Sequence, residues 1–170
     1  MRQMFSRVVF LGLLVWVVVP VFAVIPIGEL SIMVYRLDLP ISSPQVLALI
    51  MVESGGDPLA ESQSARGLMQ VSPAALQDIN RMYRFSFSYE DMFVPEYNVL
   101  VGSIYFAWLL SIFEVEPLAL MAYNWGIGNV YRWLYETDGN NKHIKEAVPL
   151  ETKNFVVNYY FWLAYFQRGM

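Results

Sequence analysis

The chain of 170 residues is long enough for one domain with a short appendage, and 56% of its residues are hydrophobic, which is high for a soluble protein. Its formal net charge is −4 and its 11 basic residues are scattered, which excludes the clustered positive charge that nucleic-acid binding needs. The chain has no cysteine and one histidine, His143, so disulfides and His/Cys metal sites are excluded, and Ser-His-Asp catalysis would depend on that single residue.

The N-terminal region contains a charge-free apolar segment, residues 8–27, which follows Arg2 and Arg7. Its length is enough for a helix to cross a bilayer core of roughly 30 Å, and the preceding arginines favour a cytoplasmic N-terminus with export of the rest. Two interpretations remain open, a signal peptide cleaved after Ala23 and an uncleaved membrane anchor. We therefore divide the chain into an export or anchor segment, residues 1–27, and a domain, residues 28–170.

The domain is predicted to be mainly α-helical, with strand-like alternation only in a short piece around Phe85 to Tyr89. GELSIMVYRLDLP is predicted to form a short helix or a connector. The clearest helix is SSPQVLALIMVESGG, with Ser43 as its cap, Pro44 at its first position and a glycine at its end. Four more helices are predicted in the segments SPAALQDINRMYR, PEYNVLVGSIYFAWLLSIF, EPLALMAYNWG and ETKNFVVNYYFWLAYFQR, the first of them capped by Ser72.

Glu53 stands out because it ends the apolar run VLALIMVE and precedes two glycines. A carboxylate at a helix C-terminus is disfavoured by the helix dipole, and the preceding turn, with Leu49 and Ile50, limits its contact with water. Both effects raise a carboxyl pKa, as a general acid working at neutral pH requires. Taken alone, the stretch also fits a surface glutamate that borders a buried face.

The residues around Glu53 carry a resemblance to a known family. ESGGDPLAESQSARGLMQVSP resembles the signature of the soluble-type lytic transglycosylases, whose domain has a lysozyme-like fold. Three further blocks resemble that family in the same order: YNVLVGSIYFAWLL, MAYNWGIGNV and PLETKNFV. Together the four blocks cover about residues 40 to 160.

The resemblance implies cleavage of peptidoglycan between N-acetylmuramic acid and N-acetylglucosamine. Glu53 would protonate the glycosidic oxygen and then, as a base, take the proton from the C6 hydroxyl that closes a 1,6-anhydro ring. No metal or other cofactor is implied, and a single carboxylate would suffice; Asp57 and Glu61 are interpreted as solvated. The alternatives are a muramidase that uses water and a peptidoglycan-binding assembly component with little turnover.

The resemblance also suggests substrate-binding residues. Ser54 would contact the substrate near the acid, Met69 would lie against a sugar face, and Gln70 would bond an acetamido group. Tyr123 and Asn124 would face the substrate or hold the fold. The glycines that follow, Gly126 and Gly128, are interpreted as positions of positive φ or of close backbone approach.

The implied partners are peptidoglycan glycan strands in the periplasm, with membrane association through residues 8–27 and a secretion or conjugation apparatus as further expectations. Nucleic acid is not expected as a partner.

Three departures from the family pattern bear on substrate fit. Phe155 stands where the closing block has a tyrosine, and Tyr159 or Tyr160, one turn further, is a candidate to supply the missing hydroxyl. Trp125 replaces a small residue. The loop after Glu53 is one residue short, with Ser64 where a glycine is common. Glu151 is interpreted as a helix N-terminal carboxylate rather than a second catalyst.

Overall fold

The computed structural model describes residues 24–138 and 147–169. Residues 8–23 of the apolar segment and His143 lie outside the described residues. In the described ranges the chain folds into seven α-helices and one short 3₁₀ helix. They are α1 (Ile27–Arg36), α2 (Ser43–Glu53), α3 (Pro73–Tyr83), the 3₁₀ helix (Glu90–Phe93), α4 (Pro95–Phe113), α5 (Glu116–Trp125), α6 (Ile127–Asp138) and α7 (Leu150–Arg168).

The ends of α2 and α3 follow from their capping residues. In α3 the side chain of Ser72 accepts a hydrogen bond from the backbone N–H of Ala75 at 3.2 Å, as predicted. In α2 the cap lies one residue earlier than predicted. The backbone N–H of Ser42 donates to Gln45 Oε1 at 3.0 Å, and Ser43 is already the first helical residue.

The core is built around α2, α4, α5 and α7. Val46 to Ile50 of α2 are almost completely buried, and the helix packs most extensively on α7. Among the described helices, α4 alone is long and apolar enough to cross a membrane, but about half of it is buried inside the domain, where it packs on α5, α3 and the 3₁₀ helix. We therefore treat α4 as a core helix.

The chain entering α1 is tied to the loop that follows α2. The backbone N–H of Ile25 donates to the carbonyl oxygen of Gly56 at 2.9 Å. Gly56 has φ +92°, and an added Cβ would lie 3.1 Å from the carbonyl oxygen of Ile25, so this position requires glycine.

Two features differ from the sequence expectations. Residues 85–89 form no strand; the isolated bridges of the described chain pair Glu61 with Arg66 and Arg66 with Val71. Helix α6 was not predicted. It follows directly on Gly126, which has φ +94° as expected, whereas Gly128 lies inside α6 with open space around it, so the predicted backbone constraint at Gly128 was wrong.

Candidate active site

A cavity of about 1110 Å³ opens between the end of α2, the loop that follows it, and helices α3 to α7. Four of the predicted site residues line it: Glu53, Gln70, Tyr123 and Asn124. Ser54 and Met69 are not among its lining residues. The sequence motifs therefore converge on one cavity, although not every residue in them faces it.

Glu53 is the last residue of α2 and is half-buried in the cavity wall. Its carboxyl group receives no hydrogen bond from the described part of the chain. Burial and, to a smaller extent, the negative charge of Glu151 raise its pKa from the ordinary value of 4.5 to about 8. The predicted pKa increase is confirmed, as is loss of solvation, one of its two predicted causes. The contribution of the helix dipole stays a prediction, and that of Glu151 was not predicted.

The loop beneath Glu53 is fixed to α4 by one buried amide, that of Asn98. Its Oδ1 accepts from the backbone N–H of Met69 at 2.7 Å, and its Nδ2 donates to the carbonyl oxygens of Arg66 (2.7 Å) and Met92 (2.8 Å). Gly67 lies so close that an added Cβ would be 2.2 Å from the carbonyl oxygen of Met92. The backbone of the Gly-Leu-Met-Gln stretch, residues 67–70, is therefore held in one position relative to α4.

Ser54 and Met69 stabilise this loop through contacts inside the domain. The hydroxyl of Ser54 donates to the carbonyl oxygen of Leu68 at 2.8 Å, which joins the end of α2 to the loop. Met69 is completely buried and packs on Gly102, where an added Cβ would lie 2.8 Å from its Sδ. In the structure both side chains serve the fold, which differs from the substrate contacts expected of them.

Gln70 and Tyr123 combine structural contacts with positions in the cavity wall. Gln70 has φ +46°, and its Nε2 donates to the carbonyl oxygens of Ala60 (3.0 Å) and Gly67 (3.1 Å), which leaves Oε1 as the acceptor of its amide. The hydroxyl of Tyr123 donates to the carbonyl oxygen of Met69 at 2.8 Å. Burial, and then the nearby Glu53, raise the pKa of Tyr123 well above 10, so its hydroxyl stays protonated beside the glutamate.

The first half of α7 forms the opposite wall, which sequence reasoning largely missed. Glu151, Asn154 and Asn158 are exposed and line the cavity. Their spacing of three or four residues places them on one face of α7 and is a signal that would have grouped them. Asp57 and Glu61, in contrast, are not among the lining residues.

The aromatic residues that depart from the family pattern differ in whether they line the cavity. Phe155 is buried and stacks on Tyr123, with ring centroids 6.5 Å apart and an interplanar angle of 12°. The expectation that Tyr159 or Tyr160 supplies the missing hydroxyl was wrong. Both hydroxyls donate to Glu116, at 2.9 and 3.0 Å, and neither residue lines the cavity. Trp125 does line it, at the C-terminus of α5.

The chain has similarity to several known proteins. An alignment of 81 residues is 41% identical to the endo-type membrane-bound lytic murein transglycosylase A of two Klebsiella pneumoniae strains; it covers 45% of this chain and 38% of each relative. The chain therefore spans about two fifths of the length of the curated relatives that it matches.

Two solved structures share the fold. The 70 kDa soluble lytic transglycosylase of Escherichia coli has 26% sequence identity and a TM-score of 0.69, over 81% of this chain and 24% of that one. The complex of the 70-kDa soluble lytic transglycosylase with bulgecin A has 25% identity and a TM-score of 0.70, over 84% of this chain and 24% of that one.

The family model described as the transglycosylase SLT domain matches residues 35–145, which is more than half of the chain and spans the end of α2, its loop and α3 to α6. The chain belongs to the transglycosylase SLT domain family.

Proposed function

We propose that this protein is a peptidoglycan lytic transglycosylase with Glu53 as its general acid and then its general base. The observation that carries the proposal is Glu53 itself, a half-buried carboxyl group without a hydrogen-bond partner in the described chain, whose pKa is raised to about 8 and which lines a cavity of about 1110 Å³. Family membership and the names of the relatives support the choice of substrate.

At neutral pH a carboxyl group with this pKa is mostly protonated and is able to donate its proton to the glycosidic oxygen. Cleavage of the bond to the muramic acid then leaves Glu53 as a carboxylate. That carboxylate accepts the proton of the C6 hydroxyl as its oxygen bonds to the anomeric carbon, so that no water is consumed. Gln70 Oε1 and the amide of Asn124, both at the cavity, are proposed to bind acetamido groups.

The second candidate function is a muramidase that hydrolyses the same bond. The position of Glu151 supports this candidate. Glycosidases that use water need a second carboxylate across the scissile bond. Glu151 lines the same cavity and is close enough to influence the pKa of Glu53, so it meets the first requirement for such a base.

The two candidates leave different products. We would incubate the full chain with purified peptidoglycan and identify the released muropeptides by mass spectrometry, with the variants Glu53→Gln and Glu151→Gln. Anhydro ends from the wild type, none from Glu53→Gln and continued release from Glu151→Gln would support the transglycosylase. Reducing ends that require Glu151 would favour the muramidase. Glu61→Gln, an exposed glutamate outside the cavity, is the matched control and is expected to retain activity.

We further propose that the domain acts in the periplasm, on the outer side of the membrane that residues 8–27 would enter. The relatives named membrane-bound support this location. Release of protein by osmotic shock, compared with retention in the membrane fraction, tests it and also separates a cleaved segment from a retained one.

A further inference from the structure

The surface formed by α1 and the second half of α7 exposes large apolar side chains at regular spacing. On α1 these are Ile32 and Tyr35, exposed to 55% and 73%; on α7 they are Val157, Phe161 and Tyr165, exposed to 67%, 66% and 54%. We call this surface the α1/α7 face. Single exposed apolar residues are ordinary, but a contiguous patch indicates an interaction.

The two helices border a groove of about 620 Å³ whose lining is mostly apolar. Ile27 and Ser31 line it from α1, and Tyr35 is one turn further along the same ridge. Phe161 and Tyr165 line it from α7, also one turn apart. The only hydroxyl among the α1 residues of this groove is occupied within the helix, since Ser31 Oγ donates to the carbonyl oxygen of Ile27 at 2.8 Å.

The charges lie at the edges of the α1/α7 face. Residues 154–167 of α7 carry none, and Arg168, exposed at the end of the helix, lines the groove. Residues 30–35 of α1 carry none either, and exposed Arg36 follows them. Glu29, exposed in the first turn of α1, is an acidic residue at the start of that helix, whereas the C-terminal ends of both helices carry the arginines. Apolar and tyrosine side chains next to basic residues are a composition that binds at a lipid headgroup boundary.

The path of the chain indicates what covers the α1/α7 face. The charge-free stretch 8–27 ends at Ile27, which is both the first residue of α1 and part of the groove lining. The apolar N-terminal segment therefore joins the domain at this face. We propose that the α1/α7 face lies on a lipid bilayer, with Phe161 and Tyr165 in the headgroup and upper acyl region and Arg36 and Arg168 at the anionic headgroups.

The absence of cysteine makes a direct test straightforward. Single-cysteine variants of the full chain, Tyr165→Cys and Phe161→Cys, would carry an environment-sensitive fluorophore. The matched control is Tyr83→Cys at the end of α3, because Tyr83 and Tyr165 are both 54% exposed. The proteins would be reconstituted in vesicles of phosphatidylethanolamine with a minority of phosphatidylglycerol, some lipids carrying a nitroxide quencher near the headgroup end of an acyl chain.

Interfacial helices bury their apolar side roughly 5–10 Å into the headgroup and acyl boundary, so quenching at positions 161 and 165 should exceed quenching at position 83 several-fold. Equal quenching at all three positions would overturn the proposal. Labels shielded at 161 and 165 without lipid quenching would also overturn it, in favour of a second copy if shielding grows with protein concentration, or of the N-terminal segment if it does not. The readout needs no peptidoglycan, so it is independent of the proposed activity.

Discussion

Two half-buried glutamates, Glu116 and Glu53, lie at opposite ends of α2 and meet opposite environments. Glu116 begins α5, where the helix dipole favours a negative charge. Its carboxylate accepts hydrogen bonds from Gln45 near the start of α2 (2.9 Å) and from the hydroxyls of Tyr159 (2.9 Å) and Tyr160 (3.0 Å) on α7. Glu53 ends α2, has no hydrogen-bond donor in the described chain, and has a raised pKa.

The difference shows that burial alone does not distinguish a structural carboxylate from a reactive one. Glu116 joins three helices because every donor around it is directed at the charge. Glu53 has lost part of its water without gaining donors, which favours the protonated form. Functional sites commonly retain such unfavourable arrangements, and the rest of the fold compensates for them.

The largest expected effect is on activity. Glu53→Gln should lower the rate of peptidoglycan cleavage by roughly 10²–10⁴-fold, because the general acid and base is lost while the shape of the site is kept. Glu116→Gln, at the other end of α2, should retain most of the activity at temperatures where it is folded. Muropeptide release measured for both variants checks this, and equal losses would remove the distinction between the two residues.

The next largest loss is one of stability, and it is expected at Glu116 rather than at Glu53. Glu116→Ala should lower the free energy of unfolding by about 3 kcal/mol, because the buried hydroxyl of Tyr159 and the amide of Gln45 lose their acceptor. Glu96→Ala is the control, since Glu96 also lies in the first turn of a helix but is exposed. Urea unfolding measures both, and similar small losses would show that the helix position matters more than the three donors.

Removing the charge of Glu53 should instead stabilise the protein. Between its ordinary pKa of 4.5 and its folded value of about 8, the folded protein binds more protons than the unfolded one. The free energy of unfolding therefore falls as pH rises through this interval. Glu53→Gln should raise it by up to about 4 kcal/mol at pH 8 and change it little below pH 4.5. A stabilisation that does not depend on pH would contradict the raised pKa.

A smaller effect is expected from the neighbour of Glu53. Glu151→Gln removes a negative charge and should lower the pKa of Glu53, since that charge is the second cause of its increase. Activity that requires the protonated acid would then decline at a lower pH on the alkaline side than in the wild type. A pH–rate profile of kcat/KM measures the displacement; a profile that moves to higher pH would contradict the coupling.

The smallest effect is expected at Tyr160, the most exposed of the three hydrogen-bond donors to Glu116. Tyr160→Phe removes one donor from a partly exposed hydroxyl and should cost about 0.5–1 kcal/mol of unfolding free energy. Tyr159→Phe should cost more, because Tyr159 is completely buried. Urea unfolding of the two variants gives the ranking, and the reverse order would mean that burial does not set the strength of these bonds.

The sequence predicted the end of α2, the raised pKa of Glu53 and the convergence of four motif residues on one cavity. These depend on local chemistry: an apolar helix, a glycine end, and motif spacing. It did not predict that Met69 would be buried, because the loop that carries it is held by Asn98, a residue almost thirty positions away on α4. Nor did it predict that the hydroxyl of Ser54 would bond the carbonyl oxygen of Leu68, fourteen residues on. The fate of the Tyr159 and Tyr160 hydroxyls was missed for the same reason, since their acceptor Glu116 is more than forty residues distant in sequence.

The hydrogen bond between Ile25 and Gly56 would limit how far the cavity is able to move from a membrane in which the N-terminal segment is held. A domain on a flexible linker explores a volume that grows with linker length. Here the chain is bonded to the domain two residues before α1 begins, so no flexible linker precedes α1 within the residues that the structure describes. If the residues before Val24 stay in a bilayer, the cavity is carried at a fixed height. Such a protein would select glycan strands by their distance from the membrane.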